Sequence, residues 1–529
     1  MVANGFKRLM AIFATFVIAL GLAMPAFADV ASDAKGSCVV NGLERGDSAT
    51  AYQVIAVTWD GQQYVDPAFT WDADVATWLR SQQSYKGYVE ETTDAVTDAY
   101  ARADAAFFDA LSAALKGSLS GKVDSASVDA TQTASGYSAT FGDLPMGGYV
   151  VLVKGTGYVY QPIANNLLPQ KDGTGAWVLP DPAVDPDAAG AVKRNPLDIT
   201  KKILDSSKNQ VSVIGAGYGD AVAYRVEVEV PQYPASAISK KFGMYDNPTG
   251  LTINQESVRV YGLKGDQDPV PLARDTNYTQ GTTNINGDST ALALAFTQFY
   301  DTVKDYDKIR VEYTATVNAD AAIGSTGNPN EATLEFNNDP YVQDGYETDS
   351  DNTTVYSYGL DVTKVEKGGT TALTGAKFTV KVEGASDNLA FVKVGDAQDG
   401  RYRLATGNDT ATDTVTEIEV GSAEGSKGAL KIDGLSAGEY LLHETVAPAG
   451  YNLSSKDFPF TIADSDTDGN IEVNGSERNT GYVTGNVENT KGFELPVTGG
   501  AGTVAMTAAG VVLMGAAVVA LRRLLKSDN

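Results

Sequence analysis

Cysteine and histidine are almost missing from this 529-residue chain, which has one of each, Cys38 and His443. A disulfide framework needs pairs of cysteines, and a Cys/His metal cluster needs several ligands, so both are excluded. The same scarcity argues against a standard histidine-based triad. Cys38, without a partner, reads as a small buried hydrophobe. Positive charge is also in short supply, with 40 Lys and Arg against 67 Asp and Glu and a net charge of -27. A polyanion of this size repels phosphate, which argues against nucleic acid as a partner. The charged fraction, 20%, is too low for a disordered polyelectrolyte, while 54 glycines and 26 tyrosines are abundant. The composition reads as extracellular, β-rich and globular, and the length allows about three domains.

The two ends read as addresses. Lys7 and Arg8 precede an apolar run from Leu9 to Leu22, and Ala26-Phe27-Ala28 offers small residues for cleavage. Residues 1–28 are therefore expected to be a secretory signal peptide, the apolar run being too short to span a bilayer. At the other end Leu495-Pro496-Val497-Thr498-Gly499 opens an uncharged stretch from Gly499 to Leu521, followed by Arg522, Arg523 and Lys526. Basic residues behind an apolar span keep that end cytoplasmic and hold the pentapeptide outside. The arrangement resembles the cell-wall sorting signal of Gram-positive surface proteins. The resemblance implies a sorting signal, transmembrane span and basic tail over residues 492–529, sortase cleavage between Thr498 and Gly499 with Leu495 and Pro496 as recognition residues, and attachment to peptidoglycan. Without both ends, residues 29–498 carry 35 basic and 66 acidic side chains, a still more acidic balance of -31.

An internal repeat marks where domains begin. Leu197-Asp198-Ile199-Thr200-Lys201 recurs 163 residues later as Leu360-Asp361-Val362-Thr363-Lys364. Period two puts each lysine on the apolar face of its strand, an expensive place for an ammonium group. An edge lysine that snorkels to solvent is the bland alternative, and two matched copies argue against it. The expected division is 29–196, 197–357 and 358–491. Short strands are expected at Lys377–Val382, Ala390–Val394, Ala429–Ile432, Glu439–Glu444, Phe458–Ile462 and Gly481–Val487, which suggests an all-β sandwich. The middle segment is also β-rich, at Ala221–Val230, Ser257–Tyr261 and Ile309–Val317. The first is mixed, with strands at Ser37–Val40, Thr50–Trp59 and Tyr149–Val153 and helices at Asp72–Ser84 and Glu90–Leu115.

In the last segment, alternation aims Tyr440, Leu442 and Glu444 into the core and His443 away from it. Asn489 lies on the terminal strand. Lys364, Glu444 and Asn489 thus offer an amine, an acid and a carboxamide. Burial drives the lysine toward its neutral nucleophilic form and the glutamate toward its protonated form. The amine then attacks the amide carbon while the acid polarises it, ammonia leaves, and an amide crosslink forms in a single turnover. An ordinary buried ion pair is the alternative, itself costly through desolvation. Gly438 to Tyr451, with its G-x-Y-x-L-x-E-x-x-A-P-x-G-Y pattern, resembles the collagen-adhesin B-type domain, and the resemblance implies a Lys364–Asn489 isopeptide with Glu444 catalytic.

The middle segment has an analogous set in Lys201 and Asn330, with Lys202 and Asn328 as competitors. Strand alternation disfavours Lys202. Asp246, in Phe242-Gly243-Met244-Tyr245-Asp246-Asn247-Pro248, resembles the catalytic aspartate in middle domains of sortase-assembled backbone pilins. No such set appears before residue 197, so two crosslinks are expected. In the same family a lysine ahead of the middle domain accepts the threonyl group of the next subunit. Lys193 stands there, with Ala191-Val192 in place of the usual Tyr-Pro, and Lys171 is the alternative.

The whole chain is therefore similar to the major shaft subunits of sortase-assembled Gram-positive pili. The resemblance implies tandem immunoglobulin-like β-sandwiches, a mixed α/β N-terminal domain, no cofactor and no metal. It also implies a pilus-specific sortase, identical subunits, minor pilins and a host receptor for adhesion as partners, at the cell surface. Joining Thr498 to Lys193 is a head-to-tail contact that does not close, and so builds a filament. A monomeric wall-anchored adhesin, a tip or base subunit and a secreted hydrolase are the alternatives. The last lacks GxSxG and HExxH motifs, though an acid pair in the first segment stays open.

Overall fold

The computed structural model describes residues 30–173, 175–180, 190–191, 194–343, 345–473, 476–478 and 480–492. The signal segment, Lys193, and the segment holding Leu495, Pro496, Thr498, Gly499 and the apolar stretch to Leu521 lie outside the described residues. Among the described residues, no helix is long and apolar enough to cross a membrane. The architecture is mainly β. The described residues fall into two compact units. One takes the chain up to Ser212 with Val222–Ala315 and Pro329–Thr354; the other takes Val213–Ala221, Thr316–Asn328 and the chain from Val355 onward.

In the first unit, Gly147–Lys154 is apolar at consecutive positions and buried on both faces. Val151 and Val153 face a core with Val40, Phe141 and Ile163. Val150 and Leu152 face a second core with Trp71, Leu79, Phe107 and Leu111, built from two helices. A strand covered on both sides needs no polar alternation. The helices are Ala73–Ser81, capped by the Asp72 carboxylate accepting from the Asp74 and Val75 amides, and Ala105–Lys116, capped by Asp104 accepting from the Phe107 amide. Side-chain oxygens at these positions satisfy amides that the first turn leaves free.

The expected helix Glu90–Leu115 is only half realised. Residues before Asp98 are extended or turn, with Asp94 at φ 55, and Asp98–Arg102 is a 3-10 turn capped by Thr97. Three capping-type residues, Asp94, Thr97 and Asp104, offer local hydrogen bonds that compete with helix, and composition alone conceals that competition. Likewise the strand expected from Ser257 begins at Arg259, because Gln255–Ser257 forms a 3-10 turn capped by Asn254.

Two further sheets follow in this unit. One places Ile199–Leu204, Ala221–Glu229, Lys308–Val317 and Arg259–Leu263 side by side. The other runs Glu347–Tyr356, Asn328–Phe336, Phe242–Pro248, Ser289–Ala295 and Thr279–Thr283. Strict alternation of burial along Lys308–Val317 puts Ile309, Val311, Tyr313, Ala315 and Val317 inward.

The second unit holds a pair of sheets. The six-stranded one includes Arg401–Leu404, Ala429–Leu435, Tyr358–Glu366 and Tyr482–Asn489, in that order. The four-stranded one runs Ile418–Glu419, Lys377–Val382, Gly438–Val446 and Phe458–Ile462. Between them lies a core that includes Leu360, Phe378, Ile432, Tyr440 and Leu442. Tyr358–Glu366 and Tyr482–Asn489 are parallel neighbours, with Lys364 opposite Val487 and Glu366 opposite Asn489. Period two therefore carries Lys364 and Asn489 to the same face of adjacent strands.

Candidate functional site

Among the described residues, only two lysines are buried, Lys201 at 0% exposure and Lys364 at 1%. They are the lysines of the sequence repeat. Each is flanked by apolar inward neighbours, Ile199 and Ile203 for one and Val362 for the other. An ammonium group in such a place must be paired or give up its proton.

Lys201 and Tyr313 project from one sheet of the first unit; Asp246 and Asn330 lie on neighbouring strands of another, with Pro248 opposite Asn330. All four are buried. The Lys201 Nζ donates to Asp246 Oδ2 and, at 2.8 Å, to the Tyr313 hydroxyl. Tyr313 in turn donates to Asp246 Oδ2 at 2.7 Å and accepts from Asn330 Nδ2 at 3.1 Å. The rings of Tyr224 and Tyr313 stack 5.2 Å apart, and Lys201 Nζ lies 5.1 and 5.5 Å from their centroids. Burial lowers the lysine pKa, with Asp246 opposing; burial also raises the aspartate pKa, with Lys201 opposing. Both shifts favour the neutral amine and the neutral acid over the ion pair.

The competing assignments lead elsewhere. Lys202 is partly exposed and its Nζ donates to the Ser212 hydroxyl at 3.0 Å. Asn328 is buried with its amide fully engaged: Oδ1 accepts from the Ala322 amide, and Nδ2 donates to the Ala322 and Val355 carbonyls. A saturated amide of this kind is a structural tie.

The second cluster lies within the second unit. Lys364 Nζ donates to the Val487 carbonyl at 2.9 Å and stands 3.9 Å from Glu444 Oε1. Glu444 Oε2 accepts from Asn489 Nδ2 at 3.0 Å and from the Ser454 amide at 2.8 Å. Asn489 Nδ2 also donates to the Asn452 carbonyl at 2.9 Å. Burial pushes the Lys364 amine down to about 8, against the pull of Glu444 and Glu488. His443, beside Glu444, is exposed with Nδ1 2.7 Å from Asp457 Oδ1.

A pH dependence follows. In Asn489→Ala, where Lys364 stays a free amine, the folded chain holds fewer protons than the unfolded chain between about pH 8 and the ordinary lysine value of 10.5. Stability then rises with pH across that window and is flat in this group below it. Denaturant unfolding of Asn489→Ala against Asn489→Ala/Lys364→Met isolates the effect. A pH-independent difference contradicts it.

Each cluster leaves the same pair of buried atoms without a hydrogen-bond partner: a carboxyl oxygen and an amide carbonyl oxygen. They are Asp246 Oδ1 with Asn330 Oδ1, and Glu444 Oε1 with Asn489 Oδ1. An unpaired buried acceptor costs about 1–3 kcal/mol, and a proton on the carboxyl is the donor that such a site lacks. The sequence contains no trace of this pattern.

Other groups behave differently. Before residue 180 the buried carboxylates Asp47 and Asp109 are ringed by hydroxyl and backbone donors, from Tyr160, Thr156 and Glu44 in one case and Ser236 and Tyr341 in the other. Cys38 is buried with its thiol pushed up to about 12, mainly by desolvation, which makes it inert. Around Lys193 the flanking backbone is paired: Gly190 and Ala191 run parallel to Val40 and Asn41, and Arg194–Pro196 pairs with Tyr158–Tyr160. Lys171 is exposed with its Nζ 5.2 Å from the Trp177 ring.

Comparison with known proteins gives these positions a context. Residues 359–477 match the SpaA family, described as a prealbumin-like fold domain, and residues 487–523 match the LPXTG cell wall anchor motif. The chain carries a prealbumin-like SpaA domain ahead of a cell-wall anchor motif. Its first cluster thus precedes the SpaA domain, while Lys364 and Glu444 lie inside it and Asn489 just beyond. The chain is 25% identical over 448 residues to the fimbrial subunit type 1 of Actinomyces viscosus, covering 77% of this chain and 79% of that protein. It is 24% identical over 283 residues to the trypsin-resistant surface T6 protein of Streptococcus pyogenes serotype M6, which is 50% of this chain and 45% of the relative. The match therefore spans less than half of the T6 protein. Among solved structures, the T6 backbone pilin of serotype M6 Streptococcus pyogenes superposes with a TM-score of 0.57 at 18% identity, over 88% of this chain and all of the other, which establishes a shared fold.

Proposed function

We propose that the chain is the shaft subunit of a covalent surface pilus, in which two internal Lys–Asn amide bonds harden each subunit and a sortase joins Thr498 of one subunit to Lys193 of the next. The observation that carries this reading is the burial of two lysine, carboxyl and asparagine sets in a chain that bears a cell-wall anchor motif. A fimbrial subunit as a relative along most of the chain supports it, as does the fold shared with a backbone pilin described as modular and three-domain. Residues 29–196, 197–357 and 358–491 are read as the corresponding domains.

The internal chemistry takes the form Lys-NH2 + Asn-CONH2 giving Lys-NH-CO-Asn + NH3. The neutral amine attacks the amide carbon, the protonated acid polarises the carbonyl oxygen, and ammonia departs. In the second unit such a bond would tie the first strand of the SpaA domain to its parallel neighbour near the end of the domain. In the first unit it would cross from one sheet to the other. Asn330 lies on the strand before Glu347–Tyr356, so the bond there would be a sheet-to-sheet brace. Either bond holds through covalent atoms and resists reductants.

Cell-wall material run on a denaturing gel distinguishes the shaft reading from a monomeric wall-anchored adhesin. The shaft reading expects a ladder of subunit multiples; a single monomer band supports the adhesin.

A further inference from the structure

The reaction read from the first cluster has a simple proton balance. The Nζ–Cγ bond forms and the Cγ–Nδ2 bond breaks; one proton leaves the Lys201 nitrogen, and one proton must arrive on the Asn330 nitrogen for ammonia to depart. The carboxyl proton of Asp246 is engaged elsewhere, polarising the carbonyl oxygen. A separate carrier between the two nitrogens would let both steps proceed together.

The Tyr313 hydroxyl touches both nitrogens, at 2.8 Å from Lys201 Nζ and 3.1 Å from Asn330 Nδ2, while its own proton rests on Asp246 Oδ2 at 2.7 Å. We propose that Tyr313 is a catalytic proton relay for the Lys201–Asn330 bond, taking the proton released by the attacking nitrogen as it passes its own to the departing one. The inference rests on the reading of this cluster as a bond-forming site. The hydroxyl ends as it began, and no oxidant or further reactant is involved. The amide nitrogen is a donor in the ground state and becomes an amine-like acceptor in the tetrahedral intermediate. The hydroxyl hydrogen then turns from Asp246 toward it. Stacking on Tyr224 holds the ring, so the oxygen stays between its partners. Burial pushes the phenol pKa well up, which disfavours a free phenolate and favours coupled transfer.

The second cluster supplies the contrast. There Glu444 itself contacts Asn489 Nδ2, and Lys364 Nζ donates to a backbone carbonyl, with no tyrosine hydroxyl among the hydrogen bonds these three make to described residues. The two bonds of one chain therefore serve as each other's reference.

The test follows both bonds in the full chain after a pulse of synthesis, by peptide mass spectrometry of each pair. Tyr313→Phe keeps the ring and removes the hydroxyl. It should slow loss of ammonia at Lys201–Asn330 by about a hundredfold or more, the usual worth of a positioned proton-transfer group, and leave Lys364–Asn489 at its normal rate. The unaltered chain made in heavy water gives a second readout, since two protons in flight at the first bond predict a larger isotope effect there than at the second. Normal closure in Tyr313→Phe overturns the relay. So does slow closure combined with equal isotope effects at the two bonds, which would make the tyrosine a packing residue. If the unaltered chain loses no ammonia at Lys201–Asn330, it is the bond-forming reading that fails.

Discussion

Asp246→Ala is expected to abolish the Lys201–Asn330 bond and to cost the first unit several kcal/mol. Two effects add. Without the carboxyl, nothing polarises the Asn330 carbonyl, so the bond does not form. The lysine is then left 0% exposed with only the Tyr313 hydroxyl as a polar partner. Removing one member of a buried pair costs about 3–5 kcal/mol, because the other is left buried without its partner. The crosslink itself closes a loop of over a hundred residues, which by the loop-entropy argument for disulfides is worth about 4–5 kcal/mol. Thermal unfolding should therefore fall by at least about 10 °C, taking about 2–4 °C per kcal/mol for a domain of this size. The mass should rise by one ammonia relative to the parent, after allowing for the substitution. Asp246→Asn, which keeps the volume, should lose the bond as well. A normal mass deficit in either variant contradicts the assignment of Asp246.

The second large effect is expected outside the cores. Lys193→Ala should remove the high-mass ladder from cell-wall extracts and leave folded, still-anchored monomer. A sortase-bound threonyl group needs an amine to accept it, and without the linker lysine the peptidoglycan amine or water remains. The chain on both sides of residues 192–193 is held by backbone pairing, in parallel to Val40 and Asn41 and antiparallel to Tyr158–Tyr160. Substituting one side chain there leaves those backbone bonds in place, so the loss of polymer should come without loss of fold. Lys171→Ala should leave the ladder unchanged, since that lysine lies along the Trp177 ring on a separate two-stranded hairpin. A ladder that survives Lys193→Ala and vanishes in Lys171→Ala would transfer the role to Lys171.

The site residues differ in how far the sequence could reveal them. Lys201, Lys364 and Glu444 were legible because a strand has period two: a charged residue in phase with Leu, Ile or Val announces a buried charge. Asn489 was read from its place on the terminal strand, whereas Asn330 shares its face with Asn328 and was preferred on the resemblance to backbone pilins. Tyr313 was not legible in that way. It is in phase with Ile309, Val311 and Ala315, so alternation reads it as one more core residue. Its chemistry depends on Lys201, 112 positions away, and Asp246, 67 positions away, meeting across two sheets. The orphaned carboxyl and carbonyl oxygens are tertiary facts of the same kind. The parallel pairing of Tyr358–Glu366 with Tyr482–Asn489 was equally hidden, since strand periodicity carries no information about neighbours. In the helical region the failure was local. Alanine content predicted one long helix from Glu90, and Asp94, Thr97 and Asp104 divided it by offering hydrogen bonds of their own.

The scarcity of cysteine also takes on a sharper sense. In an exported chain without disulfides, the two buried lysines occupy positions where a covalent brace is most useful, between sheets in one unit and between neighbouring strands in the other. On the proposed reading the acids beside them transfer protons, whereas an ordinary buried ion pair would be a poor source of stability because of desolvation.

The central claim is that both clusters react without any external enzyme. The most direct measurement is the intact mass of the exported chain, purified from cells that lack sortase and compared with the mass of its sequence after signal removal. Two bonds predict a deficit of about 34 Da, one ammonia of about 17 Da for each, with crosslinked peptides that pair Lys201 with Asn330 and Lys364 with Asn489. A mass equal to that of the unmodified sequence would contradict the account.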